Sequence, residues 1–311
     1  MATTTRAATS LSSFRQGLSR ICHRLFFSTG ALIRICTLII TAAVTLPDAY
    51  AGEGKILAAP GVTQIEGSAG GGLTPWAVLA GYASRDDIAG SVFSSRVGVD
   101  DYRLDVWGGA LNFYDRVEIS VAHQKFDLKQ AGAEIRQDIY GAKVRLYGDL
   151  IFSDWPQVST GVQYKRLQDT AIAKAVGAAD AEHGTDVYLA ASKLHLGAVG
   201  GYNLLWNLSV RATKANQLGL LGFGGDKRDR YSPQVEAAVA VLLNAHLAVG
   251  VEYRQKPDNL GFAEEEDWRD VFIAYFPNKH LNLTLAWVDL GDIAGQDSQR
   301  GAYLSLTGYL W

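Results

Sequence analysis

The chain has 311 residues, 48% of them hydrophobic and 20% charged, with a formal net charge of −3 at neutral pH. That balance excludes a disordered tail and an all-apolar helical membrane protein, and it leaves no basic footprint for nucleic acid. The only cysteines, Cys22 and Cys36, are too few for a disulfide scaffold or a thiolate zinc site.

Residues 1–51 read as an export signal. Arg6, Arg15, Arg20, Arg24 and Arg34 precede any acid, the apolar run 35–46 follows, and Ala49-Tyr50-Ala51 ends it. This order of basic, apolar and small residues is that of a secretory signal peptide. The apolar run is too short to cross about 30 Å of hydrocarbon as a helix. Removing residues 1–51 takes five arginines and one acid, so 29 basic and 32 acidic residues become 24 and 31, a net charge of −7. No cysteine remains after this cut, which suits an oxidising periplasm.

Next comes a Gly-rich segment, 52–75, containing Ser68-Ala-Gly-Gly-Gly72. It reads either as a first strand or as a plug. From residue 76 onward the pattern has a period of two. Val158, Thr160, Val162 and Tyr164 oppose Ser159, Gly161, Gln163 and Lys165. Leu247, Val249, Val251 and Tyr253 oppose Ala248, Gly250, Glu252 and Arg254. Such alternation predicts strands with one apolar and one polar face. The expected strands are 62–67, 76–84, 91–99, 102–113, 116–126, 135–147, 157–166, 185–196, 203–214, 232–243, 246–255, 268–276, 281–289 and 300–311. Most reach the length of about 9–11 tilted residues that spans a bilayer.

The connections alternate in length. Tight turns are expected at 114–115, 197–202, 244–245 and 277–280. Longer loops are expected at 127–134, 167–184, 215–231, 256–267 and 290–299. Short periplasmic turns and long outer loops mark outer-membrane barrels. Aromatics near strand ends (Trp76, Phe113, Tyr114, Tyr147, Trp268, Phe276, Trp287, Trp311) suggest girdles at the two interfaces. The expected fold is therefore an all-β, closed, antiparallel transmembrane barrel over 76–311, of about 14 strands if 62–67 joins the wall. A 12-stranded barrel with the N-terminal segment tucked inside is the alternative.

Several stretches resemble an uncharacterised bacterial family, domain of unknown function 3034. They are Gly61-Val-Thr-Gln-Ile-Glu-Gly67, Gly70-Gly-Gly-Leu-Thr-Pro-Trp76, Asp101-Tyr-Arg-Leu-Asp105, Ile135-Arg-Gln-Asp138, Ala215-Asn-Gln-Leu-Gly-Leu-Leu-Gly-Phe-Gly-Gly225, Lys256-Pro-Asp-Asn-Leu-Gly-Phe262 and Val288-Asp-Leu-Gly291. The resemblance implies an exported outer-membrane protein. It brings no substrate and no catalytic residue.

The sequence offers little chemistry. His123, His183, His195, His246 and His280 lack metal-ligand spacing, and no cofactor or metal is implied. Ser120 and His123, and likewise Ser192 and His195, are three apart in one strand. They therefore project to opposite faces and cannot form a nucleophile–base pair. Gly219-Leu-Leu-Gly-Phe-Gly-Gly-Asp226 lacks the Lys-Ser/Thr of a phosphate loop and reads as a mobile outer loop. Glu264-Glu-Glu-Asp267 reads as a solvated loop; a bridging divalent cation is the weaker alternative.

The inward face carries the functional expectation. It receives Lys143, Arg145, Lys165, Arg211 and Arg254, with Glu118, Glu236 and Glu252, among Ser120, Gln124, Gln163, Asn207, Ser209 and Thr213. A lipid-facing Arg or Lys at mid-depth costs roughly 2–4 kcal/mol, so these side chains line a lumen. Two arrangements remain open: a water-filled pore, and a ladder of salt bridges that fills the barrel. In the first, the five cations form one side facing the three acids, and like charges cluster. The resulting expectation is a porin-like channel or small-solute transporter of the bacterial outer membrane, in contact with membrane lipid and lipopolysaccharide. A structural or interaction barrel is the alternative, and oligomeric state is left open.

Overall fold

The computed structural model describes residues 54–310. The expected signal peptide and the terminal Trp311 lie outside the described residues.

Twelve strands close into one antiparallel barrel. They are β3 (Ile88–Val99), β4 (Tyr102–Phe113), β5 (Val117–Leu128), β6 (Ala133–Tyr147), β7 (Gln157–Leu167), β8 (His183–Val199), β9 (Tyr202–Thr213), β10 (Ser232–Leu242), β11 (Leu247–Arg254), β12 (Trp268–Asn278), β13 (Leu281–Asp289) and β14 (Arg300–Leu310). Each pairs with its sequence neighbour, and β14 closes on β3 from Gly301↔Val99 to Leu310↔Gly90. Closure leaves no strand edge unpaired, which a sheet in lipid requires. Two dipeptide strands, β1 (Val62–Thr63) and β2 (Ala69–Gly70), pair with each other and stay out of the wall sheet.

The barrel thus has 12 wall strands, not 14. Neither 62–67 nor 76–84 enters the wall. Residues 60–83 are buried without interruption, whereas β12 alternates buried and exposed along most of its length. The reason is compositional. A wall strand needs a large apolar side chain at every second position for the lipid. The N-terminal segment instead runs through Ser68-Ala-Gly-Gly-Gly72 and the small residues Ala77, Ala80, Gly81 and Ala83, which let it fit within a bore, while its large side chains, Leu73, Trp76 and Tyr82, are buried against the inner wall. Gly71 marks the tightest approach, because a Cβ there would collide with the Glu252 carboxylate. The bore accepts the segment because much of its inner wall is equally small: Ser95, Ser159, Ser209, Ala190, Ala240 and Ala274 all face inward and are buried.

The outward face is apolar. Leu111, Ile119, Val121, Leu189, Val251 and Ile273 are exposed. An aromatic rim lies at one end, with Tyr114, Tyr147, Trp155 and Tyr202 exposed. Trp287 also faces out, but Trp76, Trp268 and Phe276 are buried inside. Trp268 and Phe276 share inward parity with Asp270, Phe272 and Ala274 on β12. Proximity to a strand end therefore misassigned them to a girdle.

The short connections 114–116, 200–201, 243–246 and 279–280 share one end of the barrel, here the turn end, together with the longer 148–156. The loop end carries 168–182, 214–231, 255–267 and 290–299, but also the short 100–101 and 129–132. The expected long loop at 127–134 is mostly ladder, since Asp127 pairs with Glu134 and Leu128 with Ala133. Loop 168–182 contains the one-turn helix α1 (Ala171–Ala175). A 3-10 turn, Asn216–Gly219, opens an inward excursion of loop 214–231.

The outward face and the loops each answer to a measurement. Val251→Arg, on the outward face of β11, should lower folding stability in bilayers by about 2–4 kcal/mol, read as a shifted urea folding midpoint; an unchanged midpoint would mean this face does not meet lipid. The second concerns pH. Burial raises the Asp149 carboxyl, but the N–H groups of Ile151 and Phe152, both at 2.9 Å, and the Arg145 guanidinium outweigh it and hold it below its usual range. Asp180 is likewise held low against burial by the N–H groups of Glu182 and His183. A depressed carboxyl stabilises the fold above its unfolded pKa of about 3.9 and loses that contribution as pH falls through the folded value. Protection against hydrogen exchange in 148–156 and 168–182, relative to the intrinsic rate at each pH, should therefore fall below about pH 4, while the wall strands stay protected.

Candidate functional site

The lumen is polar along most of its length and is filled by residues 58–83 of the N-terminal segment, whose ends, 55–57 and 84–87, lie at the rim. This segment enters at the turn end, where Lys55 pairs with Asp115 at 2.7 Å. It returns there through Tyr82, whose hydroxyl donates to the Leu57 carbonyl at 2.6 Å and whose ring meets Tyr309 edge-on.

Nearer the turn end, two wall residues clamp both limbs. The Glu118 carboxylate accepts the N–H of Ala69 at 3.1 Å and of Ala80 at 2.8 Å. Lys143 donates to the carbonyls of Ala69 at 2.7 Å and Val78 at 2.8 Å, and lies 3.4 Å from Glu118. On the far side, Glu252 accepts the N–H of Leu73 at 2.7 Å and the hydroxyl of Thr74 at 2.6 Å. Small polar groups complete the contact. Ser192 accepts the N–H of Ala77 at 2.9 Å, and Ser209 donates to the Pro75 carbonyl at 2.8 Å.

The deepest point of the segment carries Glu66, on which three wall cations converge. Lys165 of β7 pairs with Oε1, while Arg211 of β9 at 3.2 Å and Arg254 of β11 at 2.7 Å both reach Oε2. Two wall carboxylates hold these cations in place. Asp186 lies 2.6 Å from Lys165 and 3.2 Å from Arg211, and Glu236 lies 2.8 Å from Arg211 and 3.3 Å from Arg254. The guanidiniums also lie over aromatic rings, Arg211 over Tyr188 at 5.5 Å and Arg254 over Trp268 at 5.7 Å, a favourable cation–π arrangement. All six charged groups are buried.

Above Glu66 the lumen turns apolar. Leu218, Leu220 and Leu221 fold down from loop 214–231 and join Ile65, Leu73, Val97, Leu104 and Phe126 in one buried cluster. Gln217 and Leu218 hold positive φ to make this turn, and Gln137 donates to the Leu218 carbonyl at 3.1 Å. The stretch expected as a mobile outer loop is therefore a buried cap. Its leucines, set among glycines, find their apolar partners inside the barrel.

Seven of the eight expected lumen residues, Glu118, Lys143, Lys165, Arg211, Glu236, Glu252 and Arg254, point inward and are buried. Arg145 does not join them. It sits at a bulge of β6 and binds Asp115, Asp149 and the Gly148 carbonyl at the turn end. The expected separation into a basic side and an acidic side is overturned. Register sets Glu118 opposite Lys143 and Glu236 opposite Arg254, so opposite charges interleave. In a dry interior that arrangement is far less costly than clustered like charges. The lumen is the filled arrangement, with the filling supplied mainly by the N-terminal segment.

Glu66, Asp186 and Asp270 are the charged lumen residues that sequence reading missed. Reading 62–67 as wall hid Glu66. Asp186 has the same parity as Tyr188 and Ala190 on β8, a signal that was available. Elsewhere Ser120 and Ser192 face in while His123 and His195 face out, the opposed placement their spacing predicts. His123 contacts Asp138 at 2.5 Å, and His195 accepts from Trp206 at 3.1 Å. The Glu264–Asp267 run is dispersed. Glu265 is buried against Lys256 at 2.9 Å, and Asp267 accepts the Tyr253 hydroxyl at 2.5 Å. Among the described residues no group of acids and histidines is arranged to hold a metal.

A closed antiparallel barrel, apolar outside and polar inside, is the architecture of outer-membrane β-barrel proteins. The chain belongs to the family described as Protein of unknown function (DUF3034), whose pattern matches residues 59–307. No curated protein matches the chain. Among solved structures, the KdgM porin superposes with a TM-score of 0.44 and 10% identity, covering 70% of this chain and 98% of the porin. The outer-membrane protein Omp33 of Acinetobacter baumannii gives 0.42 and 10%, covering 73% and 99%. LpxR from Salmonella typhimurium gives 0.43 and 11%, covering 72% and 99%.

Removing the Glu66 charge should loosen the segment. Breaking a buried ion pair by deleting one partner typically costs about 3–5 kcal/mol. Glu66→Gln should lower the thermal midpoint of the detergent-folded protein, and Glu66→Gln/Arg254→Gln, which restores charge balance, should recover part of the loss. A double variant no better than the single would mean that charge is not what holds the segment.

Proposed function

We propose that the protein is an outer-membrane channel for small polar solutes, closed in this conformation by its own N-terminal segment and, at the loop end, by the leucine cap of loop 214–231. The observation that carries this reading is the chemistry of the grip. The wall holds residues 66–80 largely through charged and hydroxyl side chains bound to backbone N–H and C=O groups. Water can take over each of these bonds when the segment leaves, so the vacated bore would be a hydrated path. A bore meant only as a permanent core would do as well with apolar packing. With 12 strands, the barrel lies between the eight whose interior side chains fill and the 16–18 of open porins. The apolar outer face sits in membrane lipid, and the loop end faces lipopolysaccharide.

The second reading, a structural or interaction barrel, is favoured by one feature: the leucine cap closes the lumen from the loop end as well. A reversible lock separates the two. Ala77 and Ser192 are in contact through a 2.9 Å hydrogen bond, and no other cysteine lies beyond residue 51. Ala77→Cys/Ser192→Cys should give channel events in planar bilayers when reduced and none when oxidised. Silence in both states, and also in protein lacking residues 55–83, would favour the structural barrel.

A further inference from the structure

We infer that Lys165, Arg211 and Arg254 form a binding site for a short monocarboxylate solute, and that Glu66 occupies this site as a tethered stand-in while the segment is in place. The inference deepens the channel reading and rests on it for the word solute; the site itself does not. Three strands each contribute one cation to a single carboxylate, and its two oxygens are divided among them. Oε1 is met by Lys165, and Oε2 is met by Arg211 at 3.2 Å and Arg254 at 2.7 Å. A carboxylate group suits such a divided set of charge-assisted donors.

Charge counting narrows the ligand. The wall contributes three cations and two carboxylates, Asp186 and Glu236. With Glu66 present the cluster is neutral. With Glu66 withdrawn it carries one uncompensated positive charge, set between low-dielectric walls that strengthen its attraction for an anion. One anionic charge restores neutrality, whereas a doubly charged anion overshoots. The Glu66 side chain beyond its Cα is chemically a propionate, so the space it leaves is the size of that acid. The site is also held in shape without its occupant. Asp186 and Glu236 fix the cations from the wall side, and the rings of Tyr188 and Trp268 lie against the two guanidiniums. Gln163, which accepts from Arg211 at 2.6 Å, directs its amide nitrogen toward Gln64 of the segment at 3.4 Å. That donor becomes available to the solute when Gln64 leaves with Glu66.

The test uses full-length, detergent-folded protein carrying Glu66→Gly, which removes the charge and vacates the propionate-sized space, with sodium propionate as probe. Ligand that binds only the folded state raises its thermal midpoint by mass action. Propionate should raise the midpoint of Glu66→Gly saturably and leave wild type unmoved, because Glu66 already fills the site. Glu66→Gly/Arg254→Gln, neutral without a ligand, should bind propionate at least tenfold more weakly while folding at least as well as the single variant. Inorganic phosphate and chloride at equal ionic strength should give smaller shifts than propionate. Equal shifts in all three proteins, or a phosphate shift equal to that of propionate, would overturn the inference. In bilayers, propionate should reduce chloride current through Glu66→Gly channels and spare the double variant. A propionate shift in folded protein with no channel events in any variant would leave the binding site standing and remove the channel reading. Channel events without propionate sensitivity would do the reverse.

Discussion

The buried ion cluster around Glu66 is the interaction on which the lumen's organisation depends. Taking a carboxylate and three cations out of water is expensive, and only mutual pairing with good geometry offsets it. Strands β7, β8, β9, β10 and β11 each contribute one member, so the cluster ties five consecutive wall strands to one point on the N-terminal segment. Lys165 and Arg211 are each shared between Glu66 and Asp186, so no single pair can be removed without disturbing the others. Burying that many charges is tolerable because the register interleaves signs, as in Glu236↔Arg254.

Closure of the barrel is layered. At the turn end Tyr82, Tyr309 and the Lys55–Asp115 pair hold the base of the segment. The middle is held by side chains bound to backbone. Toward the loop end, contact changes from polar to apolar, with Leu218 and Leu220 packed near Ile65 and the stacked Tyr102 and Phe126 rings, 5.0 Å apart. The two obstructions differ in kind. The segment is held by bonds that water can replace, while the cap is held by the hydrophobic effect, which water cannot.

Much of the wall was legible in the sequence because its physics is local. In β7, β9, β11 and β13 every second residue must suit lipid, and that need writes a period of two that no other fold explains as well at this length. The inward position of Glu118, Lys143, Lys165, Arg211, Glu236, Glu252 and Arg254 followed from parity alone. What parity could not give was partnership. Which charges meet depends on register between strands and on a segment that shows no alternation at all. Residues 76–84 place Trp76, Val78 and Tyr82 on one parity, as a wall strand would, and only the structure shows that both parities are buried. Likewise the leucines of 218–221 carry no period; their burial depends on the width of a bore that the sequence does not state.

Both limbs of the N-terminal segment meet the rim at the same end of the barrel, joined there by the hydrogen bond from Tyr82 to Leu57. The segment is therefore an inserted hairpin rather than a threaded rope. It can enter a finished cylinder and leave it again without parting the β14–β3 seam. The geometry also sets its mechanical response. Tension on the chain ahead of Lys55 loads the rim contacts first, then the Glu66 cluster, and the grips on Ala69, Leu73, Ala77 and Ala80 of the returning limb after it. The bonds then yield one after another, as in peeling, instead of all together, as in shear. Peeling needs less peak force than shear for the same total work, so this geometry lowers the force that a pull from the turn side must supply to a segment that is, at equilibrium, firmly held.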